Sequence, residues 1–249
     1  MKLLCWNICI SMDNLPEVAN LIKEGNYDIA ALQEVLKPND DGLLNLYPHS
    51  AYAPLCATKE WHKHGKPYLD FGVLNQQGNL VLSKHEILDS SAEFYHLQYQ
   101  EHDIIRHEDF EINDTGRPMQ TAIIKCGNKK VQVINIHGLW TAHKNGDHRS
   151  IKQCEFIIEK AQSKNLPTII AGDFNLLPNS ESIQLMNKSF RNLIAENGIG
   201  STMPSAHPER GTKAIDFIFV NDAIKVNSFQ VIDNGISDHT PLVLDFDII

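Results

Sequence analysis

Leu166-Pro167-Thr168-Ile169-Ile170-Ala171-Gly172-Asp173-Phe174-Asn175 is the stretch whose reading decides the fold. Leu166 to Ala171 is a short apolar run rich in β-branched residues and bounded by Gly172, so it reads as a buried strand. It follows Arg149 to Lys164, where Ile151, Cys154, Ile157, Ile158 and Ala161 recur at helical spacing. A helix therefore feeds a core strand. Side chains alternate along a strand, so Asp173 and Asn175 point the same way at its end and Phe174 points the other. Two convergent polar groups directly after an apolar strand mark a rim where chemistry occurs.

Outward from this stretch the elements alternate. Lys2 to Ile8 reads as a strand, and Asp13-Asn14-Leu15-Pro16-Glu17 supplies a capping residue and an early proline for a helical pattern reaching about Lys23, which Gly25 ends. Asp28 to Val35 and Gly78 to Ser83 are strand-like. Met119 to Cys126 and Lys130 to Ile136 are β-rich runs joined by Gly127-Asn128-Lys129, a hairpin signal. Ala214 to Val220, Lys225 to Ile232 and Pro241 to Phe246 close the chain as strands. Many strands in mixed order with few helices predict an α/β fold, two sheets packed face to face with helices outside.

Composition bounds the rest. The chain has 249 residues, 42% hydrophobic and 21% charged, which is ordinary globular usage. With no internal repeat or low-complexity linker, a single domain over residues 1–249 is expected. Apolar runs fall far short of the ~18 residues that cross a bilayer. Met1-Lys2-Leu3-Leu4-Cys5-Trp6-Asn7 breaks off at Asn7 without a small-residue cleavage site, so it reads as a first strand and not as a signal peptide. Cys5, Cys9, Cys56, Cys126 and Cys154 form no C-x-x-C pair, which indicates neither a disulfide framework nor a zinc site. A cytoplasmic monomer is the default expectation. The net charge of −9 argues against a passive nucleic-acid binder that displaces counterions with basic patches. It is compatible with a metal enzyme, because an acidic cleft can hold a phosphate ester through a divalent cation.

Six strand ends carry polar clusters: Trp6-Asn7-Ile8, Leu32-Gln33-Glu34-Val35, Asn135-Ile136-His137-Gly138, Ala171-Gly172-Asp173-Phe174-Asn175, Ile215-Asp216-Phe217 and Ser237-Asp238-His239. Singly, each has a structural explanation. Asn7 suits a turn, Glu34 a solvated strand end, His137 a tight corner, and Asp238 a cap before Thr240-Pro241. Together they supply carboxylates and an amide for a hard cation, and two histidines for proton transfer and phosphate contact.

W-N-I, L-Q-E-V, G-N-L-V-L-S-K, I-N-I-H-G, A-G-D-F-N-x-x-P-N-S, A-I-D-F-I-F and S-D-H-T-P-L, in that order from Asn7 to His239, resemble the endonuclease/exonuclease/phosphatase superfamily. The resemblance implies a four-layer α/β/β/α sandwich with two mixed β-sheets, and hydrolysis of phosphate esters dependent on Mg2+ or Mn2+, with one ion or two. It implies Glu34 as principal metal carboxylate, Asn7 as its neighbour and Asp238 as a further part of the metal shell. Asp173 would orient or deprotonate the attacking water, and Asn175 would hold a phosphate oxygen. His239 would stabilise phosphoryl charge with Asp216 fixing its tautomer, and His137 resembles the second histidine of deoxyribonuclease-like members.

Departures narrow the branch. Leu176-Leu177-Pro178 after Asn175, and Lys213-Ala214-Ile215 before Asp216, differ from inositol-polyphosphate 5-phosphatases; Cys9 stands where abasic-site endonucleases commonly have an acidic residue. A nuclease acting on DNA, RNA or a nucleotide is the favoured expectation, with a sphingomyelinase-like phospholipid hydrolase or a small phosphate-ester phosphatase as alternative and a non-catalytic scaffold last. Cys56 to Asp70 interleaves Lys59, Trp61, His62, Lys63, His64, Lys66 and Tyr68, the composition of a base-stacking, phosphate-contacting loop or of a plain surface hairpin. Thr141 to Arg149 adds His143, Lys144, His148 and Arg149, either to bind substrate or to cap the following helix. Arg117, Lys63, Trp61 and Arg149, with Asn175, are the expected substrate contacts, and Arg210 and Lys213 are weaker candidates. Glu93 to Tyr99 is a candidate lipid-facing hairpin whose alternation fits a sheet edge better.

Overall fold

The computed structural model describes residues 1–9, 14–37, 41–63, 66–106, 115–141, 143–207 and 213–249. The chain begins with β1 (Lys2–Asn7), α1 (Leu15–Glu24), β2 (Ile29–Lys37), α2 (Asp41–Leu44), β3 (His49–Lys63) and β4 (Lys66–Ser83). It continues through β5 (Ile87–Phe94), β6 (Gln100–Arg106), β7 (Pro118–Cys126), β8 (Lys129–His137), α3 (His148–Ser163) and β9 (Thr168–Asp173). It closes with α4 (Glu181–Asn187), β10 (Arg191–Asn192), α5 (Leu193–Glu196), β11 (Asp216–Val220), β12 (Ile224–Val231) and β13 (Leu242–Ile248). One sheet runs β12-β13-β1-β2-β4-β3-β6 and the other β10-β11-β9-β8-β7-β5. Both are mixed: β1 and β2 are parallel, as are β8 and β9, while β1–β13 and β9–β11 are antiparallel.

Strand alternation explains the layers. Leu4, Trp6, Ala30, Leu32, Leu80 and Leu82 face away from the second sheet and bury Val18 and Ile22 of α1. Their neighbours Leu3, Cys5, Ile29 and Val81 face inward and join the main core with Val131 and Val133 of β8. Cys154, Ile157 and Ala161 of α3 and Ile183 and Met186 of α4 belong to the same core and cover the second sheet. The result is the four-layer α/β/β/α sandwich of two face-to-face mixed sheets. No described helix is long and apolar enough to cross a membrane.

Buried amides tie the sheets together beneath the rim. Gln33 Nε2 donates to Asn135 Oδ1 at 2.6 Å, while Asn135 Nδ2 reaches the carbonyls of Leu32 (3.0 Å) and Leu80 (3.3 Å) and Gln120 Oε1 (3.0 Å). Polar groups lie at inward positions here because each has a partner across the interface, which offsets their desolvation.

Several local expectations change. The Cys56 to Asp70 segment is a hairpin, with Trp61 paired to Leu69 and Lys63 to Lys66, so Gly78 to Ser83 is only the last part of an 18-residue strand. Hydrophobic Trp61 and Ile105 pack under this arm with Leu55 and Cys56, which gives the strands the apolar support that the polar sequence disguised. The β7–β8 turn is Gly127-Asn128, because Lys129 already pairs with Cys126; Gly127, at φ 64°, supplies the left-handed corner. Asn14 does not cap α1 with its side chain. Its amide instead donates to the carbonyls of Ile8 and Ile236, at 2.9 and 3.0 Å, and pins the helix start to the strand ends. Glu93 and Phe94 lie on β5, the edge strand paired with β7, in keeping with the sheet-edge alternative. Asp13, His64 and Arg210 lie outside the described residues.

Candidate active site

The polar strand ends meet at one rim. Parallel pairing sets Asn7 at the end of β1 beside Gln33 of β2, and His137 at the end of β8 opposite Asp173 of β9; Asp173 in turn faces Asp216 at the start of β11. The β2–β4 register slips between Leu32 and Val35, and Glu34 sits in this bulge with a left-handed backbone at φ 59°. A bulge re-aims the side chain that a regular strand would send elsewhere. Gly172 lets β9 approach β8 so closely that any Cβ there would strike the Ile136 carbonyl. Phe174, fully buried, anchors the loop beyond by edge-on contacts with Phe217 and Phe219 at 5.7 and 5.4 Å, and this turns Asp173 and Asn175 to the other side. The Asp238-His239 loop is pinned to β1, since Ser237 Oγ donates to the Asn7 carbonyl (2.8 Å) and Trp6 Nε1 to the His239 carbonyl (2.9 Å).

Asn7 Nδ2 donates to Glu34 Oε1 and to Asp173 Oδ2, both at 3.1 Å. Its Oδ1 accepts the Cys9 backbone N–H at 3.1 Å, so the amide nitrogen faces the carboxylates. His137 Nε2 lies 3.8 Å from Glu34 Oε1 and 3.9 Å from Asp173 Oδ2, and His239 Nε2 lies 3.8 Å from the same Asp173 oxygen. Asp173 is thus flanked by both imidazoles. Its Oδ1 also accepts the Asn175 backbone N–H at 2.7 Å, a local turn that holds Asn175 at φ 56°.

A model of the Endonuclease/Exonuclease/phosphatase family matches residues 4–239. The chain belongs to this family. No curated protein matches it in sequence. Its fold is similar to that of an endonuclease/exonuclease/phosphatase from Beutenbergia cavernae, with a TM-score of 0.78 at 18% identity over 100% of this chain and 71% of that one. A mannosyl-6-phosphatase from Bacteroides thetaiotaomicron aligns at 0.73 with 15% identity over 100% of both chains. The catalytic domain of human Nocturnin, solved with a bound sulfate anion, aligns at 0.68 with 16% identity over 100% of this chain and 94% of that one.

Electrostatics distinguish the members of this family site. Burial raises the Glu34 carboxyl pKa, Asp238 and Asp173 add to the rise, and the Asn7 hydrogen bond works against it. Burial also opposes charging of His239, yet Asp216 and Asp173 outweigh it and push the imidazole up to about 10. His239 Nδ1 is 2.9 Å from Asp216 Oδ2, which accepts the Thr202 hydroxyl at 2.5 Å. Burial drives Asp216 upward as well, but both neighbours favour its ionised form, so the proton they share is placed on His239. His137 moves the opposite way, well below the ordinary value, through burial first and then Arg117, His239 and Lys144. One histidine is held charged and the other neutral.

Asp173, Asp216 and His239 offer ligand atoms all within 4.8 Å of one another. The Asp216–His239 edge of that triangle is already a hydrogen bond. Glu34 and Asp238 also line the cleft, and Asp238 adds to the rise of the Glu34 carboxyl that burial begins.

A cleft of about 470 Å³ opens over these groups. Glu34, His137, Asp173, Asn175, Asp238 and His239 line it, as do the expected contacts Trp61, Lys63 and Arg117. Asp216 stands behind His239, and Asn7 lies 1% exposed beneath the carboxylates. Arg149 is not among the lining residues: Asp147 holds its guanidinium at 2.6 Å and caps α3. Lys144, Trp140 and Lys213 line the cleft, and Thr202 orients Asp216 from outside it. The sequence put Lys144 near the site but gave no sign of its burial; Thr202, 14 residues from Asp216, left no motif at all.

Proposed function

We propose that this family member is a divalent-metal-dependent phosphodiesterase acting on nucleic acid or a nucleotide. The observation that carries the proposal is the convergence of Glu34 and Asp173 on Asn7 in a cleft that Asp238 also lines, with an imidazole on each side of Asp173. The donor set fits a hard cation: the carboxylate oxygens of Glu34 and Asp238 suit Mg2+ or Mn2+, and the burial and Asp238 charge that raise the Glu34 carboxyl are what a cation offsets. Glu34 and Asp238 would hold it, with Asn7 positioning Glu34 through the hydrogen bond from its Nδ2. When bound, such an ion supplies charge neutralisation at the phosphoryl oxygens and lowers the pKa of water.

The chain's own groups cover the remaining needs of the reaction. Asp173 accepts a hydrogen bond from the attacking water and aligns it. The His239 imidazolium, oriented by Asp216 and Thr202, donates toward charge that develops on the phosphoryl group, and this donor is preorganised before substrate arrives. Asn175 fixes a phosphoryl oxygen. Neutral His137 contributes a donor without adding a charge that would compete with Asp173. Tyr68 and Trp140 offer ring surface for a base beside the cations that line the cleft, and Trp61 packs beneath them.

The test is turnover of single- and double-stranded DNA, RNA, a dinucleotide, sphingomyelin, inositol phosphates and a mannose phosphate in Mg2+ or Mn2+, with Glu34→Ala as blank. Metal-dependent cleavage of a nucleotide phosphodiester, absent in the blank, is expected. Turnover confined to lipid or sugar phosphates would refute the substrate assignment.

A further inference from the structure

Arg117 is 2% exposed, its Nε is enclosed without a hydrogen-bond partner, and its side chain lines the cleft. Among the described residues no carboxylate pairs with it. Gly116 sets this up: a Cβ there would lie 2.7 Å from Phe94 Cε1 and 2.8 Å from the Leu55 carbonyl, so the chain dives between two strands and carries the next side chain into the wall. Lys144 is 8% exposed and also lacks an ion-pair partner among the described residues. Its Nζ donates to Asn175 Oδ1 at 2.5 Å and lies 4.7 Å from the centre of the Trp140 ring. A left-handed backbone at φ 54° and the Leu177 N–H bonded to its carbonyl at 2.8 Å fix it in place. Arg117, Lys144 and His137 all line the same cleft.

A buried guanidinium without an anion is costly, and proteins retain one where an anion arrives later. His239 and Asn175 serve the scissile phosphoryl group in the proposed reaction, which leaves Arg117 without a role there and Lys144 beside it, held against Asn175. We infer that Arg117 and Lys144 form a second anion subsite, which takes a phosphate adjoining the scissile one in a nucleotide-sized substrate. The inference rests on the cleft being a phosphoester site and adds the class of substrate: a short nucleotide that bears a second, terminal phosphate. The cleft volume suits such a molecule better than a duplex. Arg117 contributes a planar fork that matches phosphate geometry, and Lys144 a point charge held against Asn175.

Two measurements test it. In EDTA, titration of inorganic phosphate followed by thermal melting should raise the Tm of wild type and of Glu34→Gln. The rise should be lost, with affinity down at least roughly tenfold, in Arg117→Met and Lys144→Met. Without phosphate, Arg117→Met should melt higher than wild type, because it removes an uncompensated buried charge; a merely structural arginine would give the reverse. In Mn2+, the kcat/KM ratio for a 5′-phosphorylated dinucleotide over the unphosphorylated one should be at least about tenfold in wild type and near one in Arg117→Met. Metal-free phosphate binding unchanged in Arg117→Met would overturn the subsite, even if Mn2+-dependent cleavage persists and upholds the hydrolase reading. Arg117-dependent phosphate binding with no dinucleotide cleavage would uphold the anion site and remove the nucleotide phosphodiesterase reading on which the substrate class rests.

Discussion

Lys144 combines a left-handed backbone, a buried ammonium and a hydrogen bond to a site amide. Burial lowers its pKa from 10.5 to about 8; Asp173 and Asp216 pull upward, while Lys213 and Arg117 push further down. Between those two values the unfolded chain binds more protons than the folded one, so stability rises with pH across that window. Below about 8 the folded state carries the full cost of the buried charge. Lys144→Met is therefore expected to melt higher than wild type near neutral pH, with the advantage shrinking as pH rises from about 8 toward 10.5. Melting curves across that range check it, and an advantage that grows with pH would contradict the assignment. The residues most legible in the sequence were those that close an apolar strand, such as Asp173 and His137, because strand periodicity announces where a side chain must emerge. Lys144 and Thr202 sit in connections, where neither burial nor direction follows from spacing.

At the scale of elements, the parallel pair β8–β9 carries His137 and Asp173 at matched positions, and Gly172 permits its closeness. With φ at 151° and the Ile136 carbonyl in the way, Gly172→Ala must push the strands apart. Expected are a loss of stability of about 3 kcal/mol by denaturant unfolding and a fall in turnover, since a small displacement of paired catalytic groups is amplified in rate. Wild-type stability in that variant would show that the strands tolerate separation. The strand reading succeeded where apolar runs were buried on both faces. It failed over His49–Lys63 and Lys66–Ser83, whose outer halves leave the sandwich as an arm and pack on the small cluster of Leu55, Cys56, Trp61 and Ile105. An element supported by so few apolar residues has little periodicity to read. The bulge at Glu34 was equally hidden, because a register slip depends on the partner strand and not on the local sequence.

For the molecule as a whole, two sheets joined by apolar contacts and the Gln33–Asn135–Gln120 amides hold six polar strand ends along a single rim. The mixed strand order anticipated two sheets face to face with helices outside, and the resemblance carried by the ordered motifs implied the four layers. The sequence named Arg117 and Lys144 as candidate substrate contacts but not their burial in the cleft wall, where they offset locally a chain of net charge −9. In the proposed reaction Glu34 and Asp238 serve a metal while His239 serves the phosphoryl group. Single-turnover cleavage of a nucleotide phosphodiester over a Mn2+ titration, in wild type, Glu34→Gln and His239→Ala, tests it most directly. Glu34→Gln should shift the Mn2+ requirement upward at least roughly tenfold, and His239→Ala should keep that requirement while losing about 10²–10⁴ in rate. Equal Mn2+ requirements in wild type and Glu34→Gln, or cleavage undiminished in EDTA, would contradict it.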